Sequence, residues 1–185
     1  MFIDIIGFIF GVIYVVMVSL GKKEGWLFNI VYSSILSVVS FKYKLWANFI
    51  LGMYFVFSAT TAYVKWGKET KNFNPSFETK RNNLKFFLLF LGVSILWSLL
   101  LKFVLNGRLP ILDAMSFAGN VVALLLAIRG KIENYYYFLT ANTINLFLMS
   151  VSGSYFLAFS FFIFIIFNMV GLFNWKKIYK TSFNK

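Results

Sequence analysis

Gly130-Lys131-Ile132-Glu133-Asn134-Tyr135 decides the fold, because the chain has written nearly the same turn once before, as Gly21-Lys22-Lys23-Glu24-Gly25-Trp26. The two turns lie 109 residues apart, and that register holds outward in both directions without a gap. Upstream, Asp4 meets Asp113 and Phe8 meets Phe117. Downstream, Phe55 meets Phe164 and Trp66 meets Trp175. Identity along the register is low, yet both ends and the central loop coincide. Each block, Ile3–Trp66 and Leu112–Trp175, reads as strongly apolar segments around a short charged turn. A triplet of membrane helices used twice predicts a transporter whose substrate sits between related halves.

Composition sets the environment. The chain is 60% hydrophobic and 22% aromatic, with a mean hydropathy of +0.78, far above soluble domains. A chain of this size cannot enclose 25 Phe, 10 Tyr and 5 Trp, so much of this surface must meet lipid. There is no Cys and no His, which removes disulfides, thiolate or imidazole metal sites, and nucleophile–His catalysis. The net charge of +12 does not point to nucleic acid, because the cations sit in short loops between apolar runs.

The apolar runs predict helices near residues 4–20, 26–41, 46–65, 84–103, 111–128, 135–150 and 155–173. Most approach the roughly 17–25 residues needed to cross hydrocarbon. They are continuous rather than alternating, which excludes a membrane barrel, and backbone in lipid must bond internally. The expected fold is therefore all-α, a polytopic membrane protein of seven transmembrane helices arranged 3+1+3, with two parallel triple-helix bundles. Residues 1–66 form the first bundle, 67–103 a cytoplasmic linker and linker helix, 104–175 the second bundle and 176–185 a basic tail. One extra crossing after an odd triplet returns the chain to its starting side, which keeps the bundles parallel.

Basic residues set the orientation. Lys22, Lys23, Lys65, Lys68, Lys71, Lys80, Arg81, Lys85, Arg129, Lys131, Lys176, Lys177, Lys180 and Lys185 fall on one side; only Lys42, Lys44, Lys102 and Arg108 fall on the other. The positive-inside bias puts the C-terminus in the cytoplasm and the N-terminus outside. Met1-Phe2-Ile3-Asp4 lacks a basic n-region and no cleavage pattern follows, so the first run is expected to be a permanent helix.

Polar side chains inside apolar runs mark where a permeant could bind. On the sixth segment Tyr135, Phe138, Asn142, Asn145 and Met149 recur at helical spacing, two aromatic rings followed by two amides on one stripe. Such a stripe can stack a flat ring and bond its exocyclic groups; it can equally bond neighbouring helices. Both uses stay open for Asn142, and packing has the stronger claim on Asn145. Phe161, Phe164, Asn168 and Gly171 repeat the pattern on the seventh segment, and Ser116 and Asn120 lie one turn apart near Gly119 on the fifth. The first block is plainer: Gly11, Asn29, Ser33 and Ala59 match Asn120, Phe138, Asn142 and Asn168, which suggests an asymmetric site.

The charged residues have structural explanations. Asp4 and Asp113 open helices, where a carboxylate complements the dipole. Glu24 and Glu133 are expected to pair locally with Lys22 and Lys131. Trp26, Trp46, Trp66 and Trp175, with Tyr155, sit at segment ends where an interfacial aromatic belt is the default. Lys176-Lys177-Ile178-Tyr179-Lys180 reads as a stop signal able to touch anionic lipid. No phosphate-binding Gly-rich loop is present, and no acid or base lies midway along a segment. Neither nucleotide hydrolysis nor an ion relay is therefore expected, nor any cofactor or metal. That leaves facilitated diffusion.

Taken together, two triplets joined by one helix, Leu112-Asp113 opening the second, Glu133 followed by aromatics, Asn142, and Gly171 with Trp175 resemble the PnuC family of vitamin transporters. The resemblance implies a seven-helix fold similar to the SWEET transporters but with its own helix order, in a bacterial inner membrane. It also implies a homotrimer and facilitated diffusion of a vitamin precursor that is trapped inside by phosphorylation or pyrophosphorylation. Family members that carry nicotinamide riboside have Trp-x-x-Trp on the sixth helix. Here Tyr135 and Phe138 take those places, while Asn142 is kept and Asn168 matches another binding-site amide. Related branches carry thiamine, riboflavin or deoxynucleosides, and loss of the tryptophan pair tips the expectation toward thiamine. Both thiamine and nicotinamide riboside are aromatic cations that Tyr and Phe faces can hold. The expected substrate set is Tyr135, Phe138, Asn142, Asn168, Phe164, Asn120 and Asn145. A small channel or a subunit of a membrane complex is the alternative; an intramembrane enzyme would lack acid–base machinery.

Overall fold

Apolar runs interrupted by glycine turns produce an all-helical chain. The computed structural model describes residues 2–42, 46–69, 75–104, 109–151 and 155–183. Within them lie seven helices: α1 (Phe2–Ser19), α2 (Gly25–Lys42), α3 (Trp46–Glu69), α4 (Lys80–Phe103), α5 (Pro110–Ile128), α6 (Asn134–Val151) and α7 (Tyr155–Phe183). Three stretches, Lys80–Phe103, Pro110–Ile128 and Ala158–Ser182, are long and apolar enough to cross a membrane; Ile5–Ser19 and Gly25–Val38 are shorter apolar helices. Phe57, Leu96, Phe103 and Phe173 are among the large apolar side chains left exposed. A surface this apolar belongs in lipid.

The helices close a ring of neighbours. α1 packs on α2, α2 on α3, α3 on α5, α5 on α6, α6 on α7, and α7 returns to α1. Among the described residues α4 packs mainly on α5, outside the ring, where Trp97 stacks on Phe117 at 4.8 Å and 14°, and its Phe90 reaches Tyr137 of α6 at 5.9 Å. The two closing contacts each carry an interhelical hydrogen bond. Tyr54 Oη donates to the Val121 carbonyl at 3.3 Å between α3 and α5, and Asn174 Nδ2 to the Ser19 carbonyl at 3.0 Å between α7 and α1.

The two quoted turns have the same construction. Gly21 and Gly130 both take positive φ, 74° and 66°, the left-handed conformation that ends a helix at little cost only for glycine. Lys22 N–H donates to Met17 O as Lys131 N–H does to Leu126 O; Gly21 N–H donates to Val18 O as Gly130 N–H does to Ala127 O. Each pair forms a Schellman cap, and every donor and acceptor is displaced by the sequence offset.

Two boundaries differ from expectation. α4 starts at Lys80 rather than near Leu84, because Thr79 caps it by accepting from the Asn82 N–H. α7 runs on through the lysines to Phe183, with Tyr179 packed edge-on against Phe77 at 5.0 Å. The expected basic tail is thus largely helix. Lys44, Lys71, Arg108 and Lys185 lie outside the described residues, as do the side chains of Asp4, Lys42, Trp46 and Lys68.

Glu133 also departs from expectation. It does not pair with Lys131, whose Nζ donates to Ser76 Oγ at 2.9 Å. Its Oε1 instead accepts from the Glu78 N–H at 2.9 Å and from Asn83 Nδ2 at 3.1 Å. Ser76 forms a single parallel bridge with the α5–α6 turn, donating to Gly130 O and accepting from the Ile132 N–H. The strap from Pro75 to Thr79 is therefore fastened to one turn by a carboxylate. At its exposed end the Asn82 amide and Thr79 N–H hold the Glu78 carboxyl below the usual carboxylate range. Glu133→Ala would leave two donors without their acceptor, and a loss of about 1–3 kcal/mol is expected. Thermal melts in detergent would read it.

Candidate functional site at the centre of the helix ring

Helical periodicity decides which side chains face the centre. On α2, Leu27, Val31, Ser34 and Val38 are exposed, Tyr32 meets α1, and Ser37 meets Gly52 of α3. The stripe opposite lipid carries Asn29, Ser33 and Leu36. On α6, Tyr136, Thr140, Thr143 and Phe147 are exposed, and the opposite stripe carries Phe138, Asn142 and Asn145. On α7, Phe159, Phe162, Ile166 and Phe173 are exposed, with Phe164, Asn168 and Gly171 opposite.

Asn120, Asn142 and Asn168 fall at one level. Each lies seven or eight residues from the basic end of α5, α6 or α7, as marked by Ile128, Asn134 and Trp175. At about 1.5 Å per residue this is roughly 10–12 Å along each helix. All three are buried, yet they differ in bonding. Asn120 Nδ2 donates to Ser116 O at 3.0 Å and Asn168 Nδ2 to Phe164 O at 2.8 Å. Each amide folds back on its own helix, and its Oδ1 is left as an acceptor. Asn142, only 4% exposed, has no hydrogen-bond partner among the described residues. An amide without partners in a packed membrane protein is costly unless something else bonds it.

Asn145 has a different task. Its Oδ1 accepts from Ser116 Oγ at 2.6 Å and so joins α6 to α5. One turn nearer the basic end Gly119 packs against Ala141, where an added Cβ would come within 3.2 Å. Phe164 packs edge-on against Tyr32 at 5.8 Å and Phe161 at 6.0 Å. Gly11 admits this approach, since a Cβ there would lie 3.0 Å from both Phe164 and Tyr32. Phe164 therefore joins α7 to α1 and α2. Phe138 is half-buried beside the aromatic cluster at the basic end.

That cluster overturns the interfacial-belt expectation for three tryptophans. Trp26, Trp66 and Trp175 are 0%, 3% and 0% exposed. Trp26 meets Trp66 edge-on at 5.3 Å, Trp66 meets Trp175 at 6.1 Å, and Trp175 meets Tyr135 edge-on at 5.0 Å. Under the 109-residue offset Trp26 corresponds to Tyr135 and Trp66 to Trp175. The row Trp26–Trp66–Trp175–Tyr135 thus reads the same from either end. A belt was expected for the three tryptophans because they stand at segment ends; the helices turn them inward instead, where with Tyr135 they seal the basic end of the ring. Tyr135 is the tightest member. An added Cβ at Gly171 would lie 2.6 Å from its Cε1 and Oη, so α7 can approach only because residue 171 lacks a side chain. Tyr155, by contrast, is exposed, as a belt residue would be.

Asn29 was not among the expected site residues. It is 1% exposed, its Oδ1 accepts from Ser33 Oγ at 2.9 Å, and its Nδ2 has no partner among the described residues. The signal was present in the sequence, since Trp26, Asn29 and Ser33 share one helical stripe. Among the described residues no cluster of acids is placed to hold a metal ion.

A ring of apolar helices with amides at one level and an aromatic seal at one end defines a polytopic membrane transporter class. The chain matches the nicotinamide mononucleotide transporter family over residues 1–177, and it belongs to that family. Its fold is similar to that in "Crystal structure of the Vitamin B3 transporter PnuC", with a TM-score of 0.84 and 21% identity. That match covers 97% of this chain and 83% of the other. No curated protein matches the chain significantly. The protein is a membrane transporter and not an enzyme.

Proposed function

We propose that the chain is a facilitator for a vitamin or vitamin precursor with an aromatic ring and no phosphate, bound at the level of Asn120, Asn142 and Asn168. The observation that carries this is the Asn142 amide, buried at the ring centre without a partner among the described residues. No Lys or Arg occurs between Gly25 and Phe41 or between Asn134 and Trp175, so a phosphate dianion would be buried there unpaired. An aromatic cation suits the site better. Phe138, half-buried above the seal that Tyr135 helps to close, offers a ring face, and the free Oδ1 atoms of Asn120 and Asn168 accept from amino or hydroxyl groups.

The architecture in this reading is two parallel bundles, α1–α3 and α5–α7, with α4 as the linker crossing. The neighbour pattern supports it, because exchanging the bundles turns the α1–α7 contact into the α5–α3 contact. Seven crossings then put the basic end in the cytoplasm and the N-terminus outside, in a bacterial inner membrane. Three copies assemble, with the exposed apolar face of α4 available for lipid or for a neighbouring copy. Phe138 and Tyr135 in place of a tryptophan pair keep thiamine ahead of nicotinamide riboside. Because no charged relay crosses the ring, net uptake depends on an enzyme that traps the vitamin inside.

Radiolabelled thiamine and nicotinamide riboside are therefore expected to equilibrate into protein-loaded liposomes without ion gradient or ATP. Accumulation above the external concentration, or dependence on a gradient, contradicts a facilitator. Phe138→Trp is expected to shift preference toward nicotinamide riboside several-fold, read from competition between the two labels. Tyr135→Trp is expected to fail through crowding against Gly171 and Trp175.

A further inference from the structure

We infer that Asn29, together with Trp26, forms a donor-only floor that reads a hydrogen-bond acceptor on the permeant. This rests on the proposed transport site and adds a contact from the first bundle. Asn29 lies on the α2 stripe opposite lipid, between the side that meets α1 through Tyr32 and the side that meets α3 through Ser37. Ser33 Oγ holds its Oδ1, and that bond fixes which end of the amide remains free. The free end is Nδ2, a pair of N–H donors in a fully buried side chain. One turn toward the basic end Trp26 Nε1, a group that can only donate, is also buried without a partner among the described residues. Asn29 Nδ2 and Trp26 Nε1, two donor groups with no acceptor from the described chain, thus share one stripe of α2 toward the basic end.

The amide level above them has the opposite character. Asn120 and Asn168 spend their donors on their own helices and present oxygens. With Asn142 offering both an N–H pair and an oxygen, the amide level is the one that can accept, whereas the floor can only donate. A permeant fits the ring centre in one orientation: its cationic or amino-bearing part lies at the amides, and an acceptor such as a carbonyl, ring nitrogen or hydroxyl oxygen lies against Asn29. Buried donors are kept unsatisfied at a cost to stability, and such groups mark places where a ligand supplies the missing bond.

The test separates this role from a packing role. Asn29→Leu keeps the shape of the side chain and removes its donors; Asn29→Ala guards against crowding by the larger methyl groups. In ligand-free protein at least one variant is expected to melt at or above the wild-type temperature, because an unmet donor is gone. With thiamine and nicotinamide riboside as probes, both variants are expected to bind roughly ten-fold more weakly, with a matching loss of ligand-induced stabilisation. Unchanged affinity, or lower ligand-free melting temperatures in both variants, overturns the inference. If wild-type protein binds neither probe, the proposed substrate class fails. The ligand-free melts then still decide whether Asn29 is an unmet donor or a packing residue.

Discussion

Trp175→Ala is expected to destabilise the protein by about 3–5 kcal/mol, the usual cost of emptying a buried aromatic site. Trp175 is fully buried and stands in the middle of the aromatic row, touching Trp66 of α3 and Tyr135 of α6. Removing it opens a void in the cluster that also holds Ala59, Ala62, Leu124 and Ile132. An edge-on aromatic pair adds roughly 0.5–1.5 kcal/mol beyond burial, and the one with Tyr135 is lost along with the tilted contact to Trp66. Phe173, two residues away and exposed, provides the control: its replacement by Ala is expected to cost well under 1 kcal/mol. Helical circular dichroism followed through thermal or denaturant unfolding in detergent would show the contrast. Similar losses at the two positions would mean that the aromatic row is not a packed seal.

The second large effect is on uptake rather than stability. Asn142→Ala is expected to lower the initial rate of vitamin entry into liposomes by ten-fold or more, and Asn142→Ala with Asn168→Ala to abolish it. A hydrogen bond to a permeant in a desolvated site is worth roughly 1.5–3 kcal/mol when one partner is charged, which is that order in affinity. Stability should hardly change for Asn142→Ala, because the carboxamide makes no hydrogen bond to the described residues that could be lost. Asn145→Ala should behave in the opposite way. It breaks the Ser116 bond between α5 and α6 and is expected to lower the melting temperature, with uptake per folded molecule retained.

Much of this arrangement was legible in the sequence. The turns at Gly21 and Gly130 announced themselves by a repeated Gly-Lys-x-Glu, and their caps match bond for bond because the chain reuses both glycine and spacing. The amides at 120, 142 and 168 were found because a polar residue in an apolar run has few tolerable places to go. What the sequence concealed was direction. Trp26, Trp66 and Trp175 stand at segment ends, and position along a helix says nothing about which way a ring turns once bundles meet. Asn29 was overlooked for a related reason. It was compared with its counterpart Phe138 and looked plain, whereas its meaning depends on Ser33 taking one end of the amide and leaving the other free. The strap at Pro75–Thr79 joins residues about 55 positions apart along the chain, through Glu133 and Lys131, and no local pattern marks such a pairing.

The central claim is that a permeant occupies the ring centre beside α2, α6 and α7. The chain has no cysteine, so single thiols placed on it report without background. Phe138→Cys puts one on the central stripe and Phe162→Cys puts one on the lipid-facing stripe of α7. The account predicts that a small water-soluble thiol reagent modifies the first, and that millimolar thiamine or nicotinamide riboside slows that reaction several-fold. The Phe162→Cys thiol should react slowly and show no protection. An inert thiol at 138, or one modified equally fast with and without the vitamins, would contradict a binding site at the centre of the ring.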